Sequence, residues 1–264
     1  VYEAFTDSDE ARWIVEEIQS LVRDGASRAD IALLYRSNAQ SRVLEHQLFS
    51  SGIAYRVYGG LRFFERQEVK HALAYLRLIA NSDDDTAFTR VVNFPTRGIG
   101  ARSLEALQDA ARTWNTPLYQ TVPHLSGKPG SSLAQFVVLI ERLRSETRDL
   151  PLHEMVEHVI EVSGLRAHYK AEKEGQERLE NLDELVNAAA NFSAEVGAGQ
   201  APGESSSAAD SVLAEFLAHA SLEAGDHQAD AGTEAVQLMT VHAAKGLEFD
   251  VVFLTGLEEG LFPH

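Results

Sequence analysis

Strand-forming segments lie near both ends of this 264-residue chain, and a long stretch of helical pattern separates them. Near each end, short apolar runs bounded by glycine or polar residues are typical of buried strands. In the first part of the chain these runs alternate with helical patterns, which favours a parallel α/β sheet. We predict strands at 1–5, 31–35, 54–58, 235–241 and 249–254.

The middle of the chain, from Gly59 to Gly232, has apolar residues at helical spacing and almost no strand pattern. Within it, residues 194–208 are small, polar and low in complexity, which predicts a surface loop. The chain therefore predicts one α/β domain built from both ends, with a large all-α insertion between its strands. We predict helices of the insertion at roughly 64–80, 84–92, 101–113, 131–147, 152–163, 176–192 and 209–224.

Charge is distributed unevenly along the sequence. The 23 Lys and Arg against 40 Asp and Glu give a net charge of −17, which by itself argues against a general polyanion binder. Residues 36–77, however, hold seven basic and three acidic residues, whereas 172–234 holds two basic and fourteen acidic ones. Two solvated faces would explain this pattern, and so would local contact between the basic stretch and an anionic partner.

Composition excludes several classes of protein and site. No apolar run approaches the ~20 residues of a membrane-spanning helix, so we expect no membrane partner. The chain has no cysteine, which excludes disulfides and thiolate metal sites and favours a reducing compartment. His153 and His158 lie about 140° apart around a helix, so we predict helix-surface residues instead of a zinc-binding pair. We expect no metal site.

A loop rich in polar side chains follows the strand predicted at 235–241. Open α/β sheets bind ligands beyond the carboxyl ends of their strands. There, Glu248 is suited to accept hydrogen bonds from ribose hydroxyls, and Gly246 permits a tight turn. His242 and Lys245 are suited to donate to phosphates. An exposed charged turn is the alternative, and Lys245 is not a P-loop lysine, because the pattern Gly-x-x-x-x-Gly-Lys-Ser/Thr is absent.

A second candidate contact precedes the helix predicted at 101–113. Its sequence is Thr96-Arg97-Gly98-Ile99-Gly100. Free amides at the start of a helix, together with the positive end of the helix dipole, are able to bind a phosphate. A plain turn between helices is the alternative.

Two phenylalanines in the basic stretch, Phe63 and Phe64, suggest base stacking at first sight. Helical spacing favours another interpretation, in which both belong to a buried stripe and Arg62 and Arg66 are exposed beside it. The stripe continues at Val69, Leu73, Leu76 and Ile79.

Four segments, in order, resemble the UvrD/PcrA/Rep helicases of superfamily 1. Motif V of that family and the strand after it are similar to TVHAAKGLEFDVVFLTGLEEGLFPH, at 240–264. The start of the family's second motor domain is similar to IALLYRSNAQSRVLEHQL, at 31–48. The entry to its inserted subdomain resembles YRVYGGLRFFERQEVKHALAYLRLI and NFPTRGIGARSLEAL, at 55–79 and 93–107.

The resemblance implies a fold and a domain division. Residues 1–58 and 233–264 are expected to form an incomplete second RecA-like motor domain, called 2A in the family. Residues 59–232 are expected to form its inserted helical accessory subdomain, called 2B. The fold class expected is thus α/β, a partial RecA-like parallel sheet with a large all-α insertion.

The resemblance also implies roles for individual residues. Glu248 matches the acidic residue that holds the ribose of ATP, with Lys245 and Gly246 as its loop neighbours. Contacts with single-stranded DNA are expected from Arg36, Asn38, Thr240 and His242. Contacts with duplex DNA are expected from Thr96, Arg97, Gly98, Ile99 and Gly100.

The implied function is that of part of an ATP-dependent 3′→5′ DNA helicase, with ATP and Mg²⁺ as cofactors of the intact enzyme. The 264 residues hold no P-loop or convincing Mg²⁺-binding acidic pair, and the family's motif VI would begin after His264. We therefore expect no catalytic residue in this chain, no ATP hydrolysis by it alone and no cofactor bound to it.

Two alternatives remain open. One is a non-catalytic DNA- or protein-interaction module, and the other is the equivalent part of a helicase–nuclease. Single-stranded and duplex DNA are the expected partners, with repair or replication proteins as further ones. The expected location is the cytoplasm, in association with the nucleoid.

Overall fold

The computed structural model describes residues 1–173, 175–197, 208–225, 234–258 and Phe262. Their contacts divide the chain into two compact units. The α/β unit comprises Val1–Arg66 and Ala220–His264, and the helical unit comprises Gln67–His219. The loop predicted at 194–208 lies mostly outside the described residues.

A four-stranded parallel sheet forms the centre of the α/β unit. Its strands are β1 (Ile31–Tyr35), β2 (Tyr55–Val57), β3 (Val236–Thr240) and β4 (Val251–Leu254). The strand order is β2-β3-β1-β4, and every neighbouring pair is parallel. The expected fold class, an α/β sheet assembled from both parts of the chain with a helical insertion, is confirmed.

Two helices cover the sheet with apolar faces. They are α1 (Asp7–Arg23) and α2 (Ser41–Ser50), and they pack against each other as well as against the strands. The hydroxyl of Thr6 accepts a hydrogen bond from the amide of Asp9 at 3.0 Å and so caps the start of α1. The shared core is built from residues that are almost fully buried, including Ile14, Ile18, Leu33, Leu44, Leu48 and Leu238.

The strand predicted at 1–5 is wrong, because these residues pair with no described strand. They lie beside α1 instead, where the ring of Tyr2 stacks on that of Trp13 at a centroid distance of 4.3 Å. An apolar run forms a strand only where a neighbouring strand offers its backbone, and β4 pairs with β1 instead of with this segment.

The helical unit confirms the predicted helices apart from small differences at their ends. Two further helices, Leu118–Thr121 and Leu165–Lys170, are too short for the sequence pattern to predict. The helices are α3 (Gln67–Ala80), α4 (Asp85–Val91), α5 (Ala101–Trp114), α6 (Leu118–Thr121), α7 (Gly127–Thr147), α8 (Leu152–Val162), α9 (Leu165–Lys170) and α10 (Gly175–Gly197), while α11 (Ala208–Gly225) runs past the unit boundary.

Helix α3 is the buried centre of the helical unit. It packs against α4, α7, α8 and α10, and most of its side chains are buried. The predicted stripe from Phe63 to Ile79 is buried as expected. His153 and His158 of α8 have half-exposed side chains, which confirms helix-surface positions.

The prediction that Arg62 and Arg66 are exposed is wrong. Their relative exposures are 4% and 6%. Arg62 pairs with Glu65 at 3.0 Å, and Arg66 lies 3.7 Å from Glu45 of α2. Arginine is tolerated in the interior where its donors find acceptors, and these partners lie partly outside the local helical pattern.

These contacts also place residues 59–66 with the α/β unit. The helical unit begins at Gln67 and ends at His219, so it is shorter at both ends than the inserted subdomain expected at 59–232. The assignment of the two units to the subdomains 2A and 2B stays a prediction. Among the described helices, none combines the length and the apolar character that crossing a membrane requires.

Candidate nucleic-acid interface

The carboxyl ends of β1 and β3 lie side by side. Tyr35 and Thr240 are register partners, and the amide of Val241 donates to the carbonyl of Tyr35 at 2.9 Å. The segments that leave these two strands, 36–40 and 241–250, therefore start from the same edge of the sheet. This edge is where parallel α/β sheets bind ligands.

The turn at 36–40 is held by its own side chains. Gln40 Oε1 accepts hydrogen bonds from the amides of Arg36 and Ser37, each at 2.9 Å. The carbonyl of Asn38 accepts from Nη1 of the buried Arg66 at 2.8 Å. The guanidinium of Arg36 has no hydrogen-bond or ion-pair partner among the described residues, so its donors remain available to a ligand.

Beneath this turn lies a buried polar network. Nη2 of Arg66 donates to the Ser41 hydroxyl at 2.7 Å, and that hydroxyl donates to Glu45 Oε1 at 2.5 Å. The Glu45 carboxylate also accepts from the amide of Phe63. Burial raises the pKa of Glu45 above its ordinary value, while Arg66 and these donors oppose the shift. The network fixes the Asn38 backbone to the α/β core.

The loop at 240–250 is folded tightly onto the end of β3. The Thr240 hydroxyl accepts from the amide of Ala243 at 3.2 Å, and the Thr240 carbonyl accepts from the amide of Ala244 at 3.1 Å. Gly246 adopts a positive φ of 86°, which a side chain would oppose. Thr240 thus stabilises the fold of the loop, and any contact between Thr240 and DNA would be a second role of this residue.

Three charged or polar side chains of this loop point away from internal contacts. His242, Lys245 and Glu248 are exposed, and their side chains make no hydrogen bond or ion pair with any described residue. They therefore form, with Arg36, a set of donors and acceptors around one edge of the sheet.

The end of β2 reaches the same edge and adds an aromatic residue that sequence reasoning missed. The amide of Tyr58 donates to the carbonyl of Leu238 at 2.8 Å, and its side chain is 47% exposed. A Cβ on the following Gly59 would lie 3.7 Å from that of Ala243 in the 240–250 loop. A tyrosine at the last position of the strand predicted at 54–58 was the signal available in the sequence.

The second candidate contact, 96–100, lies in the helical unit. The side-chain oxygen Oδ1 of Asn93 accepts from the amides of Arg97 and Ile99, at 2.9 and 3.1 Å. Ile99 is buried, whereas Thr96, Gly98 and Gly100 are exposed. Asn93 and Ile99 therefore anchor the loop, and the two glycines present their backbone outward.

The side chain of Arg97 makes its hydrogen bonds inside the protein. Its guanidinium donates to the carbonyls of Val91, Pro95 and Ser163 at 3.2, 2.9 and 2.8 Å. It also lies over the rings of Tyr75 and Phe136. Arg97 thus supports the loop, and a direct contact of its side chain with a ligand would have to break these bonds.

The start of α5 offers free donors beside the glycines. Gly100 precedes this 14-residue helix without a side-chain cap. The amides of Gly98, Gly100, Ala101 and Arg102 make no hydrogen bond with any described residue. Unpaired amides at the positive end of a helix are suited to an anionic group such as a phosphate.

Comparison with known proteins gives consistent matches over the whole chain. The model of the family described as UvrD-like helicase C-terminal domain matches residues 1–264. The DNA helicase II of Escherichia coli (strain K12) is 50% identical over 272 aligned residues, which cover 100% of this chain and 36% of that protein.

Other bacterial relatives show the same coverage. The DNA helicase II of Haemophilus influenzae is 46% identical, and the ATP-dependent DNA helicase PcrA of Bacillus subtilis (strain 168) is 40% identical. Each comparison covers 100% of this chain and 36% of the relative. The chain thus spans about a third of the length of these relatives.

Proposed function

Because this chain belongs to the UvrD-like helicase C-terminal domain family, we propose that it is the second motor half and inserted subdomain of an ATP-dependent 3′→5′ DNA helicase. The observation that carries this proposal is the shared edge of β1 and β3. There, the turn at 36–40 and the loop at 240–250 bring candidate DNA and nucleotide contacts next to each other.

Single-stranded DNA is proposed to run along this edge. Arg36 supplies a planar set of donors for phosphate, and Asn38 and His242 supply further donors on either side. Thr240 shapes the loop that carries His242. Tyr58, half exposed at the same edge, adds a ring on which a base is able to stack.

ATP is proposed to contact the other side of the same loop. Glu248 is exposed and unpaired among the described residues, and a carboxylate is a suitable acceptor for the two ribose hydroxyls. Lys245 is exposed beside it, and Gly246 gives the loop its turn. When bound, ATP with Mg²⁺ would supply the free energy of hydrolysis. The role of this chain is to bind the ribose and to link that binding to His242.

Duplex DNA is proposed to bind the loop at 96–100. The free amides of Gly98 and Gly100 and of the start of α5 would donate hydrogen bonds to a phosphate. Thr96 is exposed next to them, while Arg97 and Ile99 hold the loop in place. During unwinding, the intact protein would then contact DNA on both sides of the junction. The 96–100 loop would bind the duplex, and the edge shared by β1 and β3 would bind the single strand.

The intact protein is proposed to act in the bacterial cytoplasm, in association with the nucleoid and with repair or replication proteins. The relatives that support this location are DNA helicases from bacteria.

Fluorescence anisotropy of the 264-residue chain with a labelled oligothymidine tests the single-strand path. We expect Arg36→Gln and His242→Asn each to weaken binding about tenfold, because each removes a charged or polar contact worth about 1–2 kcal/mol. Arg148→Gln is the matched control, since Arg148 is an exposed arginine of the helical unit and belongs to neither candidate segment. Unchanged affinity in both test variants would overturn the assignment.

An ATPase assay tests the expectation that this chain alone does not hydrolyse ATP. We expect the isolated chain to hydrolyse ATP no faster than buffer, because its sequence lacks a P-loop. A rate well above buffer that Glu248→Ala abolishes would show that this chain holds a complete catalytic site and would overturn the proposal.

A further inference from the structure

An open groove of about 1120 Å³, lined by both apolar and polar side chains, lies on the helical unit. One wall is α4, with Asp85, Thr86, Thr89 and Arg90, and the other is the second half of α5, with Gln108 and Arg112. The short segment 115–118 closes one end. This volume lies slightly above the range of about 300–1,000 Å³ that is typical of ligand pockets. The groove lies along α4 and the end of α5, whereas the glycine loop lies at the start of α5.

The groove carries hydrogen-bonding groups that no other part of the described chain uses. The side chains of Arg90, Gln108 and Asn115 make no hydrogen bond or ion pair with any described residue. Arg90 is exposed, and the two carboxamides each present two donors and an acceptor. Side-chain amides match the alternating donors and acceptors of an extended backbone, so the groove is chemically suited to a peptide.

The charges of the groove favour one acidic side chain over a polyanion. Arg90 has no ion-pair partner in the part of the chain that the structure describes, while Arg112 is paired with Asp109 at 2.9 Å. Asp85 belongs to the wall and accepts from the amide of Leu118 at 2.8 Å. A continuous phosphate backbone would meet these carboxylates, whereas a peptide with a single carboxylate is able to place it at Arg90 alone.

One residue that lines the groove is held by contacts within the helical unit. This residue is His71, and its Nδ1 lies 2.9 Å from the hydroxyl of the buried Tyr169. Its ring also stacks on Phe94 at a centroid distance of 3.8 Å. A side chain fixed in this way does not need to reorganise when a ligand binds, which limits the free-energy cost of association.

We propose that this groove binds an extended segment of a partner protein, with an aspartate or glutamate side chain at Arg90 and the peptide backbone between Gln108 and Asn115. The site is separate from the proposed DNA and nucleotide contacts, and its existence does not depend on helicase activity.

Nuclear magnetic resonance of the ¹⁵N-labelled chain tests the proposal. The probe is a capped alanine–glutamate–alanine tripeptide, and the matched control ligand is the same peptide with glutamine. We expect changes in the amide chemical shifts of residues 85–90 and 108–118, with a dissociation constant of about 1 mM. Binding of the glutamine peptide, and binding of the glutamate peptide to the Arg90→Gln variant, should be at least fivefold weaker.

The control variant is Arg148→Gln, which removes an exposed arginine outside the groove and should leave the titration unchanged. Arg90 is itself exposed, so the spectrum of Arg90→Gln away from the groove should match that of the unaltered chain. Absence of shifts in the groove, or equal shifts with both peptides, would overturn the proposal. So would stronger shifts of the same residues with a DNA oligonucleotide, which would make the groove a nucleic-acid site.

Discussion

The carboxylate of Glu45 lies 3.7 Å from Nη2 of Arg66, and both side chains are buried in the α/β unit. Arg66 also holds the carbonyl of Asn38 at 2.8 Å, in the turn that carries the proposed single-strand contact Arg36. The ion pair therefore connects the interior of the unit to its proposed DNA edge. Disturbing it should alter stability and DNA binding together.

Replacing Arg66 with methionine should destabilise the chain by about 3–5 kcal/mol, because it leaves the buried Glu45 carboxylate without its cation. Burial already raises the pKa of Glu45, so the folded form binds this proton more readily than the unfolded chain. The contribution of Glu45 to stability therefore falls as pH rises above its ordinary pKa, and the loss in Arg66→Met should be larger at pH 8 than at pH 4.5, the ordinary pKa of the group.

Urea unfolding at the two pH values measures this effect. The double variant Glu45→Gln/Arg66→Met removes the charge along with its partner and should be more stable than Arg66→Met at pH 8. Equal stability of the single and double variants would show that the carboxylate is not the source of the loss.

His71 should make the helical unit sensitive to acid. Burial lowers the pKa of His71 to about 4, with smaller contributions from the nearby Arg90, His168 and Arg178. Since the unfolded chain binds this proton near pH 6.5, the stability from neutral His71 is fully present above that pH. It is lost as pH falls from there towards 4, by about 2 kcal/mol between pH 7 and pH 5.

The comparison variant is His71→Gln, which has no titrating group and keeps a partner for the Tyr169 hydroxyl. Urea unfolding at pH 7 and pH 5 should show a smaller loss in the variant. Titration of the His71 ring by nuclear magnetic resonance near its ordinary pKa would contradict the prediction.

Substitutions of Gly98 and Gly100 in the 96–100 loop should distinguish backbone strain from the loss of a ligand contact. Gly98 has φ 72°, so Gly98→Ala should cost about 1–2 kcal/mol of stability. Gly100 has φ −84°, and a Cβ at either residue meets no described atom within 4 Å, so Gly100→Ala is free of both strain and clash; because Gly100 is the N-cap of α5, the substitution should still cost about 0.5–1 kcal/mol. A Cβ at Gly100 therefore intrudes only on space outside the chain.

We expect salt-sensitive duplex binding by the chain, and we expect Gly100→Ala and the bulkier Gly100→Val to weaken it progressively. Anisotropy with a labelled hairpin duplex, measured at two salt concentrations, checks this. If affinity is the same in both Gly100 variants, the proposed duplex contact at this loop is wrong.

Asn93 should support duplex binding indirectly, because its side chain holds two backbone amides of the 96–100 loop. Asn93→Ala removes the acceptor of two amides and leaves them unpaired, so stability should fall by about 1–3 kcal/mol and duplex affinity with it. Asn93→Asp keeps an acceptor oxygen and should retain most of both. A weaker duplex contact in Asn93→Asp than in Asn93→Ala would point to electrostatic repulsion of DNA by residue 93 instead of support of the loop.

The strands and the main helices were predictable because each depends on a local apolar pattern. The resemblance to the UvrD-like family is confirmed as well, since it rests on motifs that are continuous in the sequence. The burial of Arg62 and Arg66 was not predictable, because it depends on Glu45 in α2 and on the carbonyl of Ala224 in α11. Local spacing contains no information about such partners.

The candidate site was predictable in part for the same reason. Its exposed residues, such as Glu248 and Arg36, stand in recognisable motifs, although their roles stay predictions. The supporting residues were missed, because Asn93 acts through one side-chain oxygen and Arg97 through three backbone carbonyls. A sequence pattern does not distinguish an arginine that faces a ligand from one that faces the protein.

The strand order has a consequence for synthesis on the ribosome. β1 and β2 emerge before the helical unit but are not neighbours, because β3 lies between them and pairs with both. β3 follows the entire helical unit in the chain, so the two early strands remain without their common partner while α3 to α10 are made. The helical unit is thus able to fold during translation before β3 is made, whereas the sheet that carries the proposed DNA path closes only after β3 has emerged.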